Sequence, residues 1–315
     1  MTDLTVGIPR SLFFHAEGPL VCAFLEALGV SLVVSPPTDR RIFERGVSLA
    51  VDETCLPVKI HLGHVDALKD RVDAVLVPRY GVLKPSEGEM CVKLWGIHDV
   101  TRNVFPELRT ISYDVDLVYG GESETRALTR LGRELGASGS AARTALARAR
   151  KDSAASRSEA ASRQERELAE RNGSPAVLVA GHTYILDDEL MGAPVLRLLQ
   201  RQGVAVARSD RLPDLHGLRK RALDFSPGLK WAYNREQVGA IMEMRERVDG
   251  IVVLLSFPCG PDSLVAELVQ RKIRDVPVCV IVLDELTASG GLQTRIESFC
   301  DIVKMRGTRS AGVLQ

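Results

Sequence analysis

The sequence predicts an α/β protein made of two parallel-sheet domains joined by a long helical segment, with a cleft between the domains. Three observations carry that expectation. Short β-branched runs alternate with helix-length segments in the first third of the chain, the same rhythm returns after residue 175, and the stretch between is rich in alanine, serine, arginine and glutamate with few large apolar residues. Alternation of this kind means parallel strands whose crossover helices cover the sheet.

In chain order, the first domain (1–120) carries expected strands at 4–8, 31–34, 49–51, 74–77 and 109–111. The connector (121–174) contains a run, 139–171, whose helix formers predict one long, mostly exposed helix stopped by Asn172-Gly173-Ser174-Pro175. A disordered linker of the same low hydrophobicity is the alternative. The second domain (175–315) carries expected strands at 176–180, 204–207, 250–255 and 278–283, with helical periodicity at 190–201, 263–271 and 292–303. Both halves follow the Rossmann-like or flavodoxin-like plan, and no tandem repeat is present.

Composition excludes several classes. A chain of 315 residues, 45% of them hydrophobic, is long enough for two cores. Lysine plus arginine equal aspartate plus glutamate at 41 each, so no net field draws the protein to nucleic acid or to an anionic membrane. No run approaches the roughly 18 apolar residues of a spanning helix, and the start, Met1-Thr2-Asp3-Leu4-Thr5-Val6, does not resemble a signal peptide. A cytoplasmic protein is expected. Six cysteines at long spacings in such a chain argue against a disulfide framework.

In open parallel sheets, ligands bind beyond the carboxyl ends of the strands. The unusual residues collect there: Pro9-Arg10, Ser35-Pro36-Pro37-Thr38, Asp52-Glu53-Thr54-Cys55 and Pro78-Arg79-Tyr80 in the first domain, then Gly181-His182-Thr183-Tyr184, Ser256-Phe257-Pro258-Cys259-Gly260-Pro261-Asp262-Ser263 and Asp284-Glu285-Leu286-Thr287 in the second. Cys55, Cys91 and Cys259 each lie beside a proline, glycine or acidic residue, whereas Cys22, Cys279 and Cys300 sit in apolar periodic runs and read as core. Gly260 permits close backbone approach and Pro261 suits a helix start, so the Cys259 thiol is expected at a helix N-terminus, where dipole and N–H groups favour thiolate. Cys55, followed by Pro57 and Lys59, has a similar setting.

Three thiolates suit an iron–sulfur cluster and leave one iron of a cubane without a protein ligand. Zinc completed by His61, His64 or His182 is a second metal reading, and structural cysteines are the bland one. His182 ends a strand and is a candidate proton shuttle or a loop cap. Asp284-Glu285 offers a base, Glu285, or a helix cap. Arg10, Lys59 and Arg79 are candidates to contact anionic ligand groups or are simply solvated. No G-x-x-x-x-G-K-[ST], no G-x-G-x-x-G and no G-x-S-x-G follows an expected strand, which argues against ATP hydrolysis by this chain and against a serine hydrolase.

The stretches Val6-Gly7-Ile8-Pro9-Arg10, Val34-Ser35-Pro36-Pro37-Thr38, 52–59, Gly63-His64-Val65, Gly181-His182-Thr183-Tyr184 and 257–263 resemble an uncharacterised family associated with, and often fused to, the ATP-dependent activases of acyl-CoA dehydratases. That family is similar in turn to subunits of 2-hydroxyacyl-CoA dehydratases and benzoyl-CoA reductases. The resemblance implies Cys55, Cys91 and Cys259 as ligands of a [4Fe-4S] cluster, and a separate activase chain that drives an electron into it. It implies radical dehydration or reduction of a small substrate such as a CoA thioester, under anaerobic conditions. The chain looks shorter than those catalytic subunits and has no obvious basic segment for the CoA phosphates. An electron-relay reductase without CoA and a metal-free two-domain binding or assembly protein are the alternatives, and a homodimer is compatible with the sequence.

Overall fold

The computed structural model describes residues 4–286 and 289–312; Met1-Thr2-Asp3 and Thr287 of the expected features lie outside them. The chain divides into two compact units, Met1–Ser156 and Arg157–Gln315.

The first unit runs β1 (Thr5–Ile8), α1 (Phe13–Ala27), β2 (Ser31–Val34), α2 (Arg40–Leu49), α3 (Leu56–Leu68), β3 (Ala74–Leu76), β4 (Arg79–Tyr80), β5 (Val82–Lys84), β6 (Gly88–Glu89), α4 (Val92–Trp95), α5 (Ile97–Val104), β7 (Thr110–Ile111), β8 (Asp114–Val115) and α6 (Glu124–Glu134). Its main sheet has the order β2-β1-β3-β7, every neighbour parallel. Beyond the carboxyl end of that sheet β4 pairs with β8, and β5 with β6 forms a hairpin that leads to Cys91.

The strand expected at 49–51 is absent. Those residues are the last turn of α2 and the link after it, with Ala50 as C-cap. The Asp39 carboxylate opens α2 by accepting from the Ile42 N–H at 2.8 Å. Residues spaced along one face, including Ile42 and Gly46, are buried, so the apolar run belongs to a helical stripe and not to a pleat. Cys55 therefore lies in a turn between two helices and not at a strand end. α3 is buried almost all round, and α2 crosses it at glycine: a Cβ on Gly63 would lie 2.0 Å from the Ile42 carbonyl oxygen, and one on Gly46 2.1 Å from that of Lys59. The Gly63-His64 motif is thus a packing requirement.

The helix α7 (Gly139–Ala169) contains the division between the units. The second unit continues with β9 (Ala176–Ala180), α8 (Thr183–Leu186), α9 (Gly192–Arg201), β10 (Ala205–Arg208), α10 (Leu215–Phe225), α11 (Ala232–Met244), β11 (Gly250–Ser256), α12 (Gly260–Lys272), β12 (Val278–Leu283) and α13 (Ser289–Gly312). Its sheet has the order β10-β9-β11-β12, all parallel. β9 and β11 are buried throughout, which matches their unbroken apolar sequences. Gln164 covers the edge at β10, its Oε1 accepting from the Arg208 N–H at 2.8 Å and its Nε2 donating to the Arg208 carbonyl at 3.2 Å. In each unit the first strand lies between the second and third, so a topological switch point falls between β1 and β3 and between β9 and β11.

The helix crossing sets a prediction. Gly63→Ala forces α2 and α3 apart and lowers stability by about 1–3 kcal/mol in urea titration, the usual cost of overpacking. Gly228→Ala, where a Cβ meets nothing within 4 Å, leaves stability unchanged.

Candidate functional site

At the switch point of the second unit, two adjacent parallel strands end in His182 and Cys259. β9 closes with Ala180 and Gly181, whose backbone is tied down on both sides. Gln237 Nε2 donates to the Ala180 carbonyl at 3.1 Å, and the Ser209 hydroxyl both accepts from the Gly181 N–H at 3.1 Å and donates to its carbonyl at 3.0 Å. His182 follows as N-cap of α8 and is 6% exposed. β11 closes with Ser256, and the turn made by the Cys259 N–H on the Ser256 carbonyl (3.0 Å) brings Cys259 to the N-cap of α12.

The third helical residue of α12, Asp262, joins the two. It is 1% exposed, and its Oδ1 accepts from His182 Nε2 at 2.7 Å and from Asn234 Nδ2 at 2.7 Å. Its Oδ2 is buried and takes no nitrogen or oxygen donor among the described residues. The Cys259 thiol, a weak donor, also bonds to this carboxyl. Burial opposes ionisation of Asp262, but the His182 charge and the hydrogen bonds from His182, Asn234 and Cys259 outweigh it and hold the carboxyl below its usual range. Burial likewise opposes protonation of His182, and the Asp262 carboxylate outweighs it, raising the imidazole above its ordinary pKa. Both shifts favour the charged form of the pair, imidazolium beside carboxylate. Tyr184 stacks on the imidazole with centroids 5.1 Å apart, and Tyr233 lies at 6.0 Å. A Cβ on Gly260 would meet nothing within 4 Å, so the chain's own packing does not require this glycine. The first helical position is Gly260 and Pro261 is the second, one place later than expected.

Cys55 and Cys91, in the first unit, share this local geometry. Both are N-caps in extended conformation, of α3 and α4, and neither caps its helix with its side chain. None of the six cysteines is paired in a disulfide; these three are partly buried, and Cys300 is fully buried. As donors the three fit thiolate ligation residue by residue, although α4 is a single turn whose dipole adds least. Among the described residues, no group of three or more His, Cys, Asp or Glu is already gathered to hold a metal ion.

The zinc reading through His61 and His64 is corrected. Both are buried, and every ring nitrogen has a hydroxyl partner: His61 with Ser11 (2.9 Å) and Thr101 (3.2 Å), His64 with Ser35 (2.9 Å) and Thr38 (3.0 Å). Burial pushes both down to about 3, so they are neutral core residues. Lys59 is buried on α3. Arg10 donates through Nε to the Ser35 carbonyl at 3.2 Å and lies over the Phe14 ring. Arg79 pairs with Asp99 and contacts His98 at 3.0 Å. Glu285 lies exposed in the turn after β12, two strands from β9, beside Asp284, whose carboxylate accepts from the Leu286 N–H at 2.8 Å. Sequence reasoning gave no role to Asp262, Asn234, Tyr184 or Tyr233. An acidic residue three places after an N-cap cysteine was the available signal for Asp262, and Asn234 was hidden because α11 was not recognised.

Among the described residues no helix is long and apolar enough to cross a membrane. The family described as "CoA enzyme activase uncharacterised domain" matches residues 5–212. A stretch of 127 residues, 36% of this chain, is 28% identical to one of the subunits of 5-oxoprolinase from Geobacillus kaustophilus (strain HTA426), and the match spans 50% of that relative's length. A Mn-bound periplasmic metal binding protein from Candidatus Liberibacter asiaticus aligns over 95% of this chain and 99% of its own at 12% identity, with a TM-score of 0.27, too low to show a shared fold.

Two predictions follow from the buried groups. Asp262→Ala removes the carboxylate that favours the charged imidazole, so the buried His182 ring gives up its proton, and the donors of His182 and Asn234 lose their acceptor; the second unit is destabilised by about 1–3 kcal/mol in denaturant unfolding, with Asp262→Asn intermediate. In the first unit, the unfolded chain takes up protons that His61 and His64 refuse between about pH 6.5 and pH 3. Their contribution is therefore complete above pH 6.5 and falls as pH drops through that window, by up to about 2.7 kcal/mol per pH unit for the pair. Urea titrations at stepped pH read that slope, and His64→Gln roughly halves it.

Proposed function

The chain belongs to the CoA enzyme activase uncharacterised domain family, and from that premise we propose that it is an iron–sulfur protein of the 2-hydroxyacyl-CoA dehydratase type. Its [4Fe-4S] cluster is held by Cys55, Cys91 and Cys259 and reduced by a separate ATP-dependent activase, for the dehydration or reduction of a small substrate such as a CoA thioester. The observation that supports this best is the shared placement of the three cysteines, each an extended N-cap with its thiol beside a helix start. Bound, such a cluster supplies one-electron chemistry and one iron without a protein ligand.

The chain's own residues have separable tasks. The helix N-termini of α3 and α12 offset negative charge at Cys55 and Cys259, and at Cys259 the adjoining Asp262 carboxylate acts against it. Asp262 fixes the His182 ring through Nε2 and favours its protonated form, in which Nδ1 carries the proton that could pass to a departing hydroxyl. Asn234 fixes Asp262 in turn. Glu285, at the end of β12, is the proposed base. Tyr184 and Tyr233 wall the imidazole against water.

A second reading is a metal-free two-domain ligand binder. Anaerobic purification with iron and acid-labile sulfide assays separates the two. The cluster reading expects about four irons per chain, lost in Cys55→Ser, Cys91→Ser and Cys259→Ser and kept in Cys300→Ser. A colourless, iron-free chain contradicts it.

A further inference from the structure

The first unit carries a cavity of about 210 Å³ whose lining includes Trp95, at the end of the turn that Cys91 caps, with Arg79, Asp114, Asp116, Tyr119 and Gly120. Its walls are built deliberately. β4 and β8 pair in register so that Arg79 lies opposite Asp114, and Arg79 Nε is 3.8 Å from Asp114 Oδ1. After β8 the buried Asp116 carboxylate accepts from the Val118 and Tyr119 N–H groups at 2.8 and 3.0 Å. The turn continues through Gly120 at φ +98°, a conformation that favours glycine. The result holds Tyr119 against Trp95, ring centroids 5.2 Å apart and planes at 35°, although Tyr119 is 61% exposed. The two rings touch, so nothing enters between them; together they form a platform.

We propose that this cavity is a binding subsite for a planar, amino-substituted nitrogen heterocycle of the adenine class. Three features select that occupant. The aromatic platform offers π-faces on which a flat ring stacks, as bases do on tyrosine and tryptophan. The lining carries one cation and two carboxylates, so it disfavours an anionic guest and suits a neutral ring with N–H donors. Asp114, whose side chain is 50% exposed, is the acceptor such donors meet, and Arg79 beside it donates to a ring nitrogen. The volume is below the roughly 300–1,000 Å³ of sites for whole drug-sized ligands, so the subsite takes one ring system and leaves the rest of a ligand outside. Because no cysteine takes part, failure of iron binding leaves this assignment intact.

The test is calorimetric titration of the full chain with adenosine, and with purine riboside, which keeps the ring shape and lacks the exocyclic amino donor. Saturable adenosine binding is expected, at least ten-fold weaker for purine riboside, and at least ten-fold weaker in Tyr119→Ala and in Asp114→Asn. Fluorescence of Trp95 in a Trp231→Phe chain, where it is the remaining tryptophan, should be quenched with the same midpoint. Absence of saturable binding, equal binding of the two nucleosides, or adenosine affinity unchanged in Tyr119→Ala overturns the proposal. Concentration-dependent self-association that Tyr119→Ala abolishes, with no nucleoside binding, would reassign the patch to a contact between copies of the chain.

Discussion

The parallel ladder between β9 and β11 is the constraint on which the candidate site depends. Its register, from Gly250 opposite Val177 to Val253 opposite Ala180, determines where each strand runs out of the sheet. Because both strands are buried on both faces, a slip by one residue would carry no compensating burial elsewhere and would also break the ties of Gln237 and Ser209 to the end of β9. With the register fixed, His182 and the N-cap of α12 emerge side by side. The third residue of that helix then turns its carboxylate onto the imidazole. Two charges taken out of water hold one another only with such geometry, and Asn234 supplies the additional hydrogen bond that a buried pair needs.

The first unit uses the same strand order for a different end. Beyond the ends of β1 and β2, the hydroxyls of Ser11 and Ser35 bond to the buried His61 and His64 of α3. Tyr80 and Tyr113 close the layer above with a hydroxyl–hydroxyl bond of 2.8 Å. Where the second unit leaves a charged, partly open constellation, the first has a neutral polar core whose cost is met by hydrogen bonds. Its chemistry-bearing residues lie instead beyond the main sheet, the Arg79–Asp114 pair on β4 and β8 and Cys91 at the start of α4.

Much of this was legible in the sequence because burial on both faces writes continuous apolar runs. β9, β10, β11 and β12 fall within a residue or so of their expected positions, as do β1, β2 and β3. The failure at 49–51 has the same root, since a short apolar run is the last turn of an amphipathic helix as readily as a strand. Cys259 at a helix start was readable from the Gly-Pro pair behind it. The Asp262–His182 pair was not, because the two are 80 residues apart and only the ladder joins them. The histidines of α3 misled for a related reason: spacing places two side chains on a helix but says nothing of the hydroxyls, 26 to 50 residues away, that occupy their nitrogens.

The central claim is that thiols at helix starts serve as soft ligands. Anomalous scattering at the iron edge, from crystals grown without oxygen, addresses it most directly. The account predicts iron density bonded to the sulfurs of Cys55, Cys91 and Cys259. Iron bonded elsewhere, or three thiols with no metal beside them in a protein purified and crystallised anaerobically, would contradict it.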